Sequence, residues 1–392
     1  MHKQKIVVVT NLYPNSLEPT RGTFVKQLVA RLASRYEIVV IAPLPWRPGW
    51  PGKSKVSSTE RIDGIEIFHP RYLVIPKILR ATYGISLFLR IFPLLRRLKK
   101  EGRCDFISAH WLYPDGVAST MAARLLQLPV YVHAMGCDIN EYAKFHLRRI
   151  QIVRAMRSAN AVITKSAALA SRVQELGIAP ANINVVPNGI DRHRFLPGDK
   201  QEARRALEIP ADIFSFLYIG NFNQEKNVSL LIRAFAKAVE NMSLPAHLYL
   251  VGDGPEREKL EGLVTNLAIR SRVTFAGRQS HQMLRTYYQA ADCFALPSLR
   301  EGCPNVLLEA LACGLPVIAS RVGGVPEIVT AGRGALIESG NLEEWCRAVT
   351  EALANPPERV SNFQWPSWED NATALEQIFA ERNNCLDEGV GL

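Results

Sequence analysis

The sequence lacks a hydrophobic run long enough to cross a membrane. A spanning helix needs roughly 20 apolar residues, and the best candidate, ISLFLRIFPLL at 85–95, is interrupted by Arg90 and Pro93. The amino-terminal MHKQKIVVVT has only a short apolar run before Asn11, which is typical of a first buried strand rather than a signal peptide. We therefore expect a cytoplasmic protein that is soluble or bound peripherally to the inner face of the membrane.

Cysteine pairs with metal-ligand spacing are also missing. The seven cysteines are scattered without any CxxC pair, and an odd number cannot pair completely within one chain. A reducing compartment fits this pattern better than a disulfide framework, and no zinc site is expected.

The length and charge of the chain indicate how many domains it forms and what kind of partner it binds. With 392 residues and 47% hydrophobic composition, the chain is long enough for two compact cores and too apolar to be disordered. The formal net charge of +10 predicts an anionic partner. Charge alone does not distinguish nucleic acid, an acidic lipid surface and a phosphorylated substrate.

Short β-branched runs alternate with segments of helical period along the whole chain. The runs are IVVVT, EIVVIAP, DFISAH, VYVHA, AVITK and INVVPN, then FSFLYIG, HLYLVG, VTFAG, CFALP and PVIAS. Such alternation predicts parallel strands with crossover helices. We expect an α/β protein of two doubly wound Rossmann-like lobes, residues 1–200 and 201–362, facing across a cleft. We expect a C-terminal helix within 363–392, which can cross back to the first lobe.

The segment SLREGCPNVLLEALACGLPVIASRVGGVPEIV, residues 298–329, carries the most specific pattern. Pro304 suits the first position of a helix that runs through Ala312, because its missing N–H costs nothing there. Glu301 then lies in the loop before this helix and Glu309 lies inside it. The N–H groups at the start of the helix suit a diphosphate.

This segment resembles the family 4 retaining glycosyltransferases of the two-Rossmann-lobe (GT-B) fold. Their signature is two glutamates with seven residues between them, which Glu301 and Glu309 match, and GLPVIAS and GGVPEIV match as well. The resemblance implies that Glu309 accepts hydrogen bonds from the ribose of a nucleotide and that Glu301 holds hydroxyls of the donor sugar. The alternative is that Glu301 is a solvated loop residue and that Glu309 occupies an exposed position of the helix.

Lys226 lies between a strand and a helix, where its ammonium can reach a phosphate and stabilise the leaving group; the alternative is a plain surface lysine. The family carries an arginine five residues earlier, where this chain has Asn221. Either Asn221 makes a weaker neutral contact, or another cation such as Arg278 replaces the arginine.

Further donor-site candidates follow from the resemblance. Gly277 and Arg278 correspond to a loop that lies against the base, Asn305 and Val306 start the helix that faces the phosphates, and Gly22 precedes the first helix of the first lobe. Glycines also form ordinary turns at such positions.

The histidine that many relatives carry before a Gly-x-Asp is displaced in this chain. Met135 occupies that position, and His133 lies two residues earlier in VYVHAMGCDIN. His133 either points toward the donor sugar as a catalytic group, since two residues preserve the face of a strand, or is a buried structural histidine. Asp138 is either a site residue or a helix cap.

The resemblance implies transfer with retention of anomeric configuration. No DxD triplet is present, so we expect no metal and no cofactor, with Lys226 and a helix N-terminus neutralising the leaving group. Closure of the lobes would exclude water.

Two basic amphipathic segments, 77–103 and 144–157, lie in the first lobe. They suggest docking to an anionic membrane surface and a lipid-linked acceptor, although their cations also suit a solvated rim. Nucleic acid is not expected, because no recognised binding module accompanies the charge.

We therefore predict a glycosyltransferase that moves a sugar from a nucleotide-sugar to a saccharide or lipid-linked acceptor, in cell-envelope or exopolysaccharide biosynthesis. One rival interpretation is a nucleotide-sugar epimerase of the same fold. Another is a non-catalytic sugar-nucleotide-binding subunit.

Overall fold

The computed structural model describes residues 3–47, 55–75, 79–240 and 245–387. The chain divides into two compact units. The first unit comprises the described residues up to Gly189 and those from Trp368 onward, and the second unit comprises Ile190–Ser367. The boundary thus falls earlier than the 200/201 position expected from the sequence, because Ile190 and Phe195 already pack in the hydrophobic core of the second unit.

Sixteen strands are present in the described residues: β1 (Lys5–Val9), β2 (Glu37–Ile41), β3 (Leu44–Trp46), β4 (Thr59–Ile62), β5 (Ile65–Phe68), β6 (Arg71–Leu73), β7 (Phe106–His110), β8 (Val130–Ala134), β9 (Ala161–Thr164), β10 (Ile183–Val185), β11 (Phe214–Ile219), β12 (Ala246–Val251), β13 (Val273–Gly277), β14 (Cys293–Leu296), β15 (Val317–Ser320) and β16 (Gly334–Ile337).

The α-helices of the same ranges are α1 (Thr23–Leu32), α2 (Tyr83–Lys100), α3 (Val117–Leu126), α4 (Cys137–Asn140), α5 (His146–Ser158), α6 (Ala167–Glu175), α7 (Lys200–Ala206), α8 (Val228–Glu240), α9 (Arg257–Asn266), α10 (His281–Ala290), α11 (Asn305–Ala312), α12 (Val325–Ile328), α13 (Leu342–Ala354) and α14 (Trp368–Asp387).

The first unit is built on an eight-stranded sheet in the order β10-β9-β8-β7-β1-β2-β5-β4. Among the described strands of this sheet, only β4 and β5 pair in antiparallel orientation. Alternate residues of β1 serve opposite faces: Val7 and Val9 pack in one hydrophobic cluster and Ile6 and Val8 in another. Because both faces carry a core, the sheet is doubly wound, and its strand order reverses between β1 and β7.

The second unit has a six-stranded, all-parallel sheet in the order β13-β12-β11-β14-β15-β16. Strand order proceeds outward from β11 through β12 to β13, and the chain then returns to β14 on the other side of β11. The expected α/β class with two doubly wound parallel sheets is confirmed. The reversal between β11 and β14 is the kind of position at which open α/β sheets bind ligands.

The last helix belongs to the first unit. Trp368, Ala372, Leu375 and Phe379 on α14 recur at helical spacing and are buried in the same cluster as Val8. The Phe379 ring lies 4.6 Å from the Tyr131 ring, centre to centre. Helix α14 therefore completes a core that begins with β1.

In the ranges that the structure describes, no helix combines the length and the hydrophobicity needed to span a bilayer. Lys77 and Ile78, with which one of the basic segments begins, lie outside those ranges.

Candidate active site

Lys226 is positioned by the turn that connects β11 to α8. The Asn223 side chain accepts a hydrogen bond from the Lys226 backbone N–H at 3.0 Å, and Asn227 follows with a φ of 48°. The turn directs the ammonium toward the loop between β14 and α11. There Lys226 Nζ donates a hydrogen bond to Glu301 Oε1 at 2.6 Å.

Glu301 is held in the loop between β14 and α11. Its side chain is only 8% exposed and that of Lys226 is 25% exposed, so neither is the solvated surface residue of the alternative interpretation. The backbone N–H of Leu299 donates to the Glu225 carbonyl at 2.8 Å. The two loops are therefore joined by backbone as well as by charge.

Gly323 fixes the backbone of Glu301 from the other side. Its φ is 50°, and a Cβ added there would lie 1.8 Å from the Glu301 carbonyl oxygen. Glycine adopts this conformation without strain, and it is the one residue that leaves room for that oxygen, because it has no Cβ. The glycine pair after β15, which carried part of the family resemblance, thus has a local structural reason.

Glu309 lies inside α11 and is 9% exposed, which excludes the exposed helix position of the alternative interpretation. The Tyr288 hydroxyl donates to Glu309 Oε2 at 2.9 Å. Burial raises the pKa of the Glu309 carboxyl from 4.5 to about 7, although the Tyr288 hydrogen bond and the charge of Arg194 lower it in part. Tyr288 was not predicted as a site residue, because no sequence pattern marks a tyrosine within α10 as a partner of α11.

Helix α11 begins at Asn305, one residue later than predicted. Pro304 is its N-cap in an extended conformation and not its first helical residue, and the Pro304 carbonyl accepts from the N–H of Leu307. Asn305 and Val306 form the start of α11, where helix N–H groups lack acceptors within the helix. The N–H groups of this turn are therefore suited to an anion.

The loops that bear Lys226 and Glu301 follow β11 and β14, which are neighbouring parallel strands. Both loops leave the carboxyl edge of the sheet at the reversal of strand order. The ion pair thus lies at the kind of position where open α/β sheets bind ligands.

The remaining donor-site candidates of the second unit lie on loops at the same edge. Asn221 and Arg278 are exposed, and in the described residues no contact joins Arg278 to Lys226 or Glu301. Gly277 has a φ of 69° with open space beside it. Gly252, by contrast, packs on backbone: a Cβ there would lie 1.9 Å from the Gly220 oxygen.

His133 lies in the interior of the first unit. It is fully buried, its ring stacks on His110 with centres 3.8 Å apart, and its Nε2 lies 3.1 Å from Ser108 Oγ. Burial, followed by His110 and Lys165, holds its pKa well below 6.5. This placement fits the structural histidine rather than a group in contact with a sugar, because the strand carries position 133 into the core.

Asp138 and Gly22 organise backbone in the first unit. The buried Asp138 carboxylate accepts from the N–H groups of Leu112 and Gly136 at 2.9 and 2.8 Å. It therefore joins the loops after β7 and β8 and does not cap α4, whose N-cap is Gly136. Gly22 has a φ of 59°, and a Cβ there would lie 2.1 Å from the Leu12 oxygen.

No group of three or more histidine, cysteine, aspartate or glutamate side chains within the described ranges could hold a metal ion. The cysteines whose side chains are described form no disulfide; that of Cys385 lies outside the described part.

Comparison with known proteins covers both units. Residues 199–363 match the family model described as Glycosyl transferases group 1, and residues 22–194 match the model described as Glycosyltransferase Family 4. The chain belongs to the group 1 glycosyltransferases. This glycosyltransferase is 29% identical over 360 residues to a Bacillus subtilis (strain 168) protein assigned to teichuronic acid biosynthesis as the glycosyltransferase TuaC, with 88% of each chain covered.

Solved structures share the fold of this glycosyltransferase. Sucrose-phosphate synthase from Thermosynechococcus elongatus matches with a TM-score of 0.73 and 20% identity, covering 98% of both chains. Anabaena HepE in complex with UDP and glucose matches with a TM-score of 0.68 and 21% identity, covering 99% of both chains. The fold is thus the GT-B fold, and neither the epimerase nor the non-catalytic subunit is favoured.

Proposed function

We propose that this glycosyltransferase binds a nucleotide-sugar at the β11–β14 edge of the second unit and transfers the sugar to a saccharide or lipid-linked acceptor. The observation that carries the proposal is the Lys226–Glu301 ion pair at the reversal of strand order. A buried carboxylate and a partly exposed ammonium at this edge match the hydroxyls and the phosphates of one ligand.

Each charged group has a separate part in the proposed donor complex. Lys226 binds the diphosphate and stabilises the charge that develops on the nucleotide as the glycosidic bond breaks. Glu301 accepts hydrogen bonds from sugar hydroxyls, and Glu309 from the ribose, because a carboxylate can accept two vicinal O–H donors. The N–H groups of Asn305 and Val306 add neutral donors to the phosphates.

The reaction is proposed to retain the anomeric configuration and to need no metal or other cofactor. The charge of the leaving group is compensated by Lys226 and by the positive end of α11. Support for a nucleotide-sugar donor comes from HepE, whose structure holds UDP and glucose.

A role in cell-envelope or exopolysaccharide biosynthesis is supported by TuaC, which is assigned to teichuronic acid biosynthesis. An acceptor made at the membrane would be reached by a peripheral enzyme on its cytoplasmic side. Helix α2 offers a suitable surface, because the exposed residues Ile85, Leu89, Arg96 and Lys100 recur on one side of it. Apolar residues beside cations suit an anionic lipid surface.

Not all the basic residues of α2 are available for lipid. Arg90 Nε donates to the Arg71 carbonyl at 2.7 Å, and the Lys99 ammonium donates to the Leu126 carbonyl. Arg96 and Lys100 are the cations that we assign to the membrane.

The proposal is tested by incubating the protein with UDP-, GDP- and dTDP-sugars and candidate acceptor lipids, followed by mass spectrometry. Acceptor that gains one sugar, together with release of the nucleoside diphosphate, is the expected result. An isomerised donor without transfer would establish the epimerase, and binding without any product the non-catalytic subunit. Glu309→Ala should weaken nucleotide binding; unchanged binding would refute the ribose role of Glu309.

A further inference from the structure

The first unit has a ligand-sized cavity at its own reversal of strand order. The cavity measures about 510 Å³, within the range of small-molecule sites. Asn11, which follows β1, and Trp111, which follows β7, both line it. Since β1 and β7 are the neighbouring strands at which the strand order of this sheet reverses, the cavity occupies the position where such sheets bind ligands.

The lining of this cavity is basic and aromatic. Arg21, Arg80 and Arg148 contribute to it together with four tyrosines, and no aspartate or glutamate is among the described residues that line it. Aromatic faces and hydroxyls suit a sugar ring, whereas three guanidinium groups suit an anion.

Arg148 is the decisive residue, because its charge is buried and the described residues provide no counter-ion for it. It is 7% exposed, and its guanidinium lies over the rings of Phe145 and Tyr142, at 4.4 and 5.3 Å from their centres. No ion pair or hydrogen bond of its side chain is found within the described residues. A buried charge is ordinarily paired, so Arg148 lacks the partner that an anionic ligand would provide.

The other charges near the cavity do not neutralise Arg148. Arg21 Nε donates to the Asn11 carbonyl at 2.8 Å, and its Nη1 lies 3.5 Å from Glu18. The fully buried Asp115 receives the Asn11 N–H at 2.9 Å. Burial raises the pKa of Asp115 to about 8, so this carboxyl is mostly protonated at neutral pH and does not offset the arginines.

We propose that this cavity is the acceptor subsite of the enzyme and that Arg148 binds an anionic group, a phosphate or a carboxylate, on the saccharide acceptor. The acceptor role rests on the proposed glycosyl transfer; the anion site does not. The planar guanidinium can donate two parallel hydrogen bonds to either group. A sugar phosphate, a uronic acid and a lipid-linked sugar phosphate share this chemistry.

Calorimetric titration of the full chain with glucose 6-phosphate, glucuronate and glucose tests the site and separates the two anions. Wild-type protein should bind at least one anionic sugar about tenfold or more tightly than glucose, and Arg148→Gln should lose about tenfold of that affinity. Arg149→Gln is the matched control, because it removes the same charge from the adjacent, exposed position of α5. It should bind as the wild type does.

Equal binding of glucose and both anions, or anion binding that Arg148→Gln leaves unchanged, would overturn the anion site. If Arg148→Gln fails to fold, Arg148→Lys decides, because it keeps the charge over the rings but not the guanidinium fork. A loss of about threefold for the anion, with glucose unchanged, is then expected, and wild-type affinity refutes the site.

Failure of this inference is distinguishable from failure of the proposed function. Sugar transfer that is equal in wild type and Arg148→Gln, for acceptors with and without an anionic group, refutes the acceptor role alone. Loss of anion binding in Arg148→Gln, in a protein that transfers no sugar, refutes the proposed function and leaves the anion site in place.

Discussion

Lys226 Nζ and Glu301 Oε1 lie 2.6 Å apart and join the loops that follow β11 and β14. The pair holds both charges at the sheet edge before any ligand arrives. In the proposed donor complex, a diphosphate and Glu301 share the three N–H donors of the Lys226 ammonium, and sugar hydroxyls donate further hydrogen bonds to the carboxylate. The pair is thus a pre-organised arrangement that a complete nucleotide-sugar can contact on both sides.

Replacing Lys226 should slow sugar transfer more than it weakens binding of the donor. In Lys226→Ala we expect kcat to fall by about a hundredfold or more, because the charge that compensates the leaving nucleotide is gone. Steady-state kinetics with the active donor from the panel measure this. Lys237→Ala, on the exposed side of α8, is the control and should keep wild-type kcat. A change in KM alone for Lys226→Ala would contradict the assignment.

Gly323→Ala should damage the site without unfolding the protein. The new Cβ would collide with the Glu301 carbonyl oxygen and move the carboxylate, so we expect at least about a tenfold loss of kcat. Gly332→Ala is the matched control: its φ of 79° imposes similar backbone strain, but nothing lies within 4 Å of its Cβ. Gly332→Ala should lose about 1–2 kcal/mol of unfolding free energy from its positive φ, and Gly323→Ala should lose more, because its Cβ also meets the Glu301 carbonyl oxygen. Equal activity of the two would show that Gly323 does not position Glu301.

Glu309 should make the unfolding free energy depend on pH. Its pKa in the folded protein is raised from 4.5 to about 7, so folding favours the protonated carboxyl. This group therefore costs stability as the pH rises above about 4.5, and the cost is complete above about pH 7. Glu309→Gln removes the cost, and its stability relative to wild type should grow by up to about 3 kcal/mol between pH 4.5 and 8.

Urea unfolding across that pH range measures the Glu309 effect. Glu258→Gln, at an exposed position of α9, should follow the wild-type curve. Parallel curves for Glu309→Gln and wild type would mean that the carboxyl is ionised in the folded protein without cost.

Membrane attachment should depend on the two cations of α2 that face solvent beside Ile85 and Leu89. Arg96→Gln with Lys100→Gln should weaken binding to mixed phosphatidylcholine–phosphatidylglycerol vesicles by about thirtyfold, since the two cations contribute about 1 kcal/mol each. Vesicle sedimentation measures this. Arg205→Gln with Lys259→Gln makes the same charge change on the second unit. Equal binding of the two double variants would rule out α2 as the docking surface.

The alternation of buried strands and helices could be predicted from the sequence. Strands buried on both faces, such as β1 and β7, are continuous apolar runs, and Pro304 marked the start of α11 to within one residue. Short edge elements were missed: β3 and β6 have three residues each, and β16 begins at a glycine. Their few side chains carry too little periodicity to distinguish them from loops.

Contacts between distant segments were the other limit of prediction. Arg148 was grouped with the surface cations of 144–157, yet it is buried over rings brought to it by tertiary packing. Likewise the choice between a catalytic and a structural His133 depended on the His110 ring beside it, which lies on β7. The spacing of residues along one strand predicts the face of the sheet on which a side chain lies. It does not predict how deeply other segments bury that side chain.

The placement of α14 constrains the order in which the protein can mature on the ribosome. Phe379 and Leu375 fill the core around Val8, yet all of Ile190–Ser367 is synthesised between the two halves of that core. The second unit can therefore finish folding during translation, while the first unit must wait for the last helix to emerge. Premature termination before residue 368 would leave a finished second unit joined to a first unit with part of its core open to solvent.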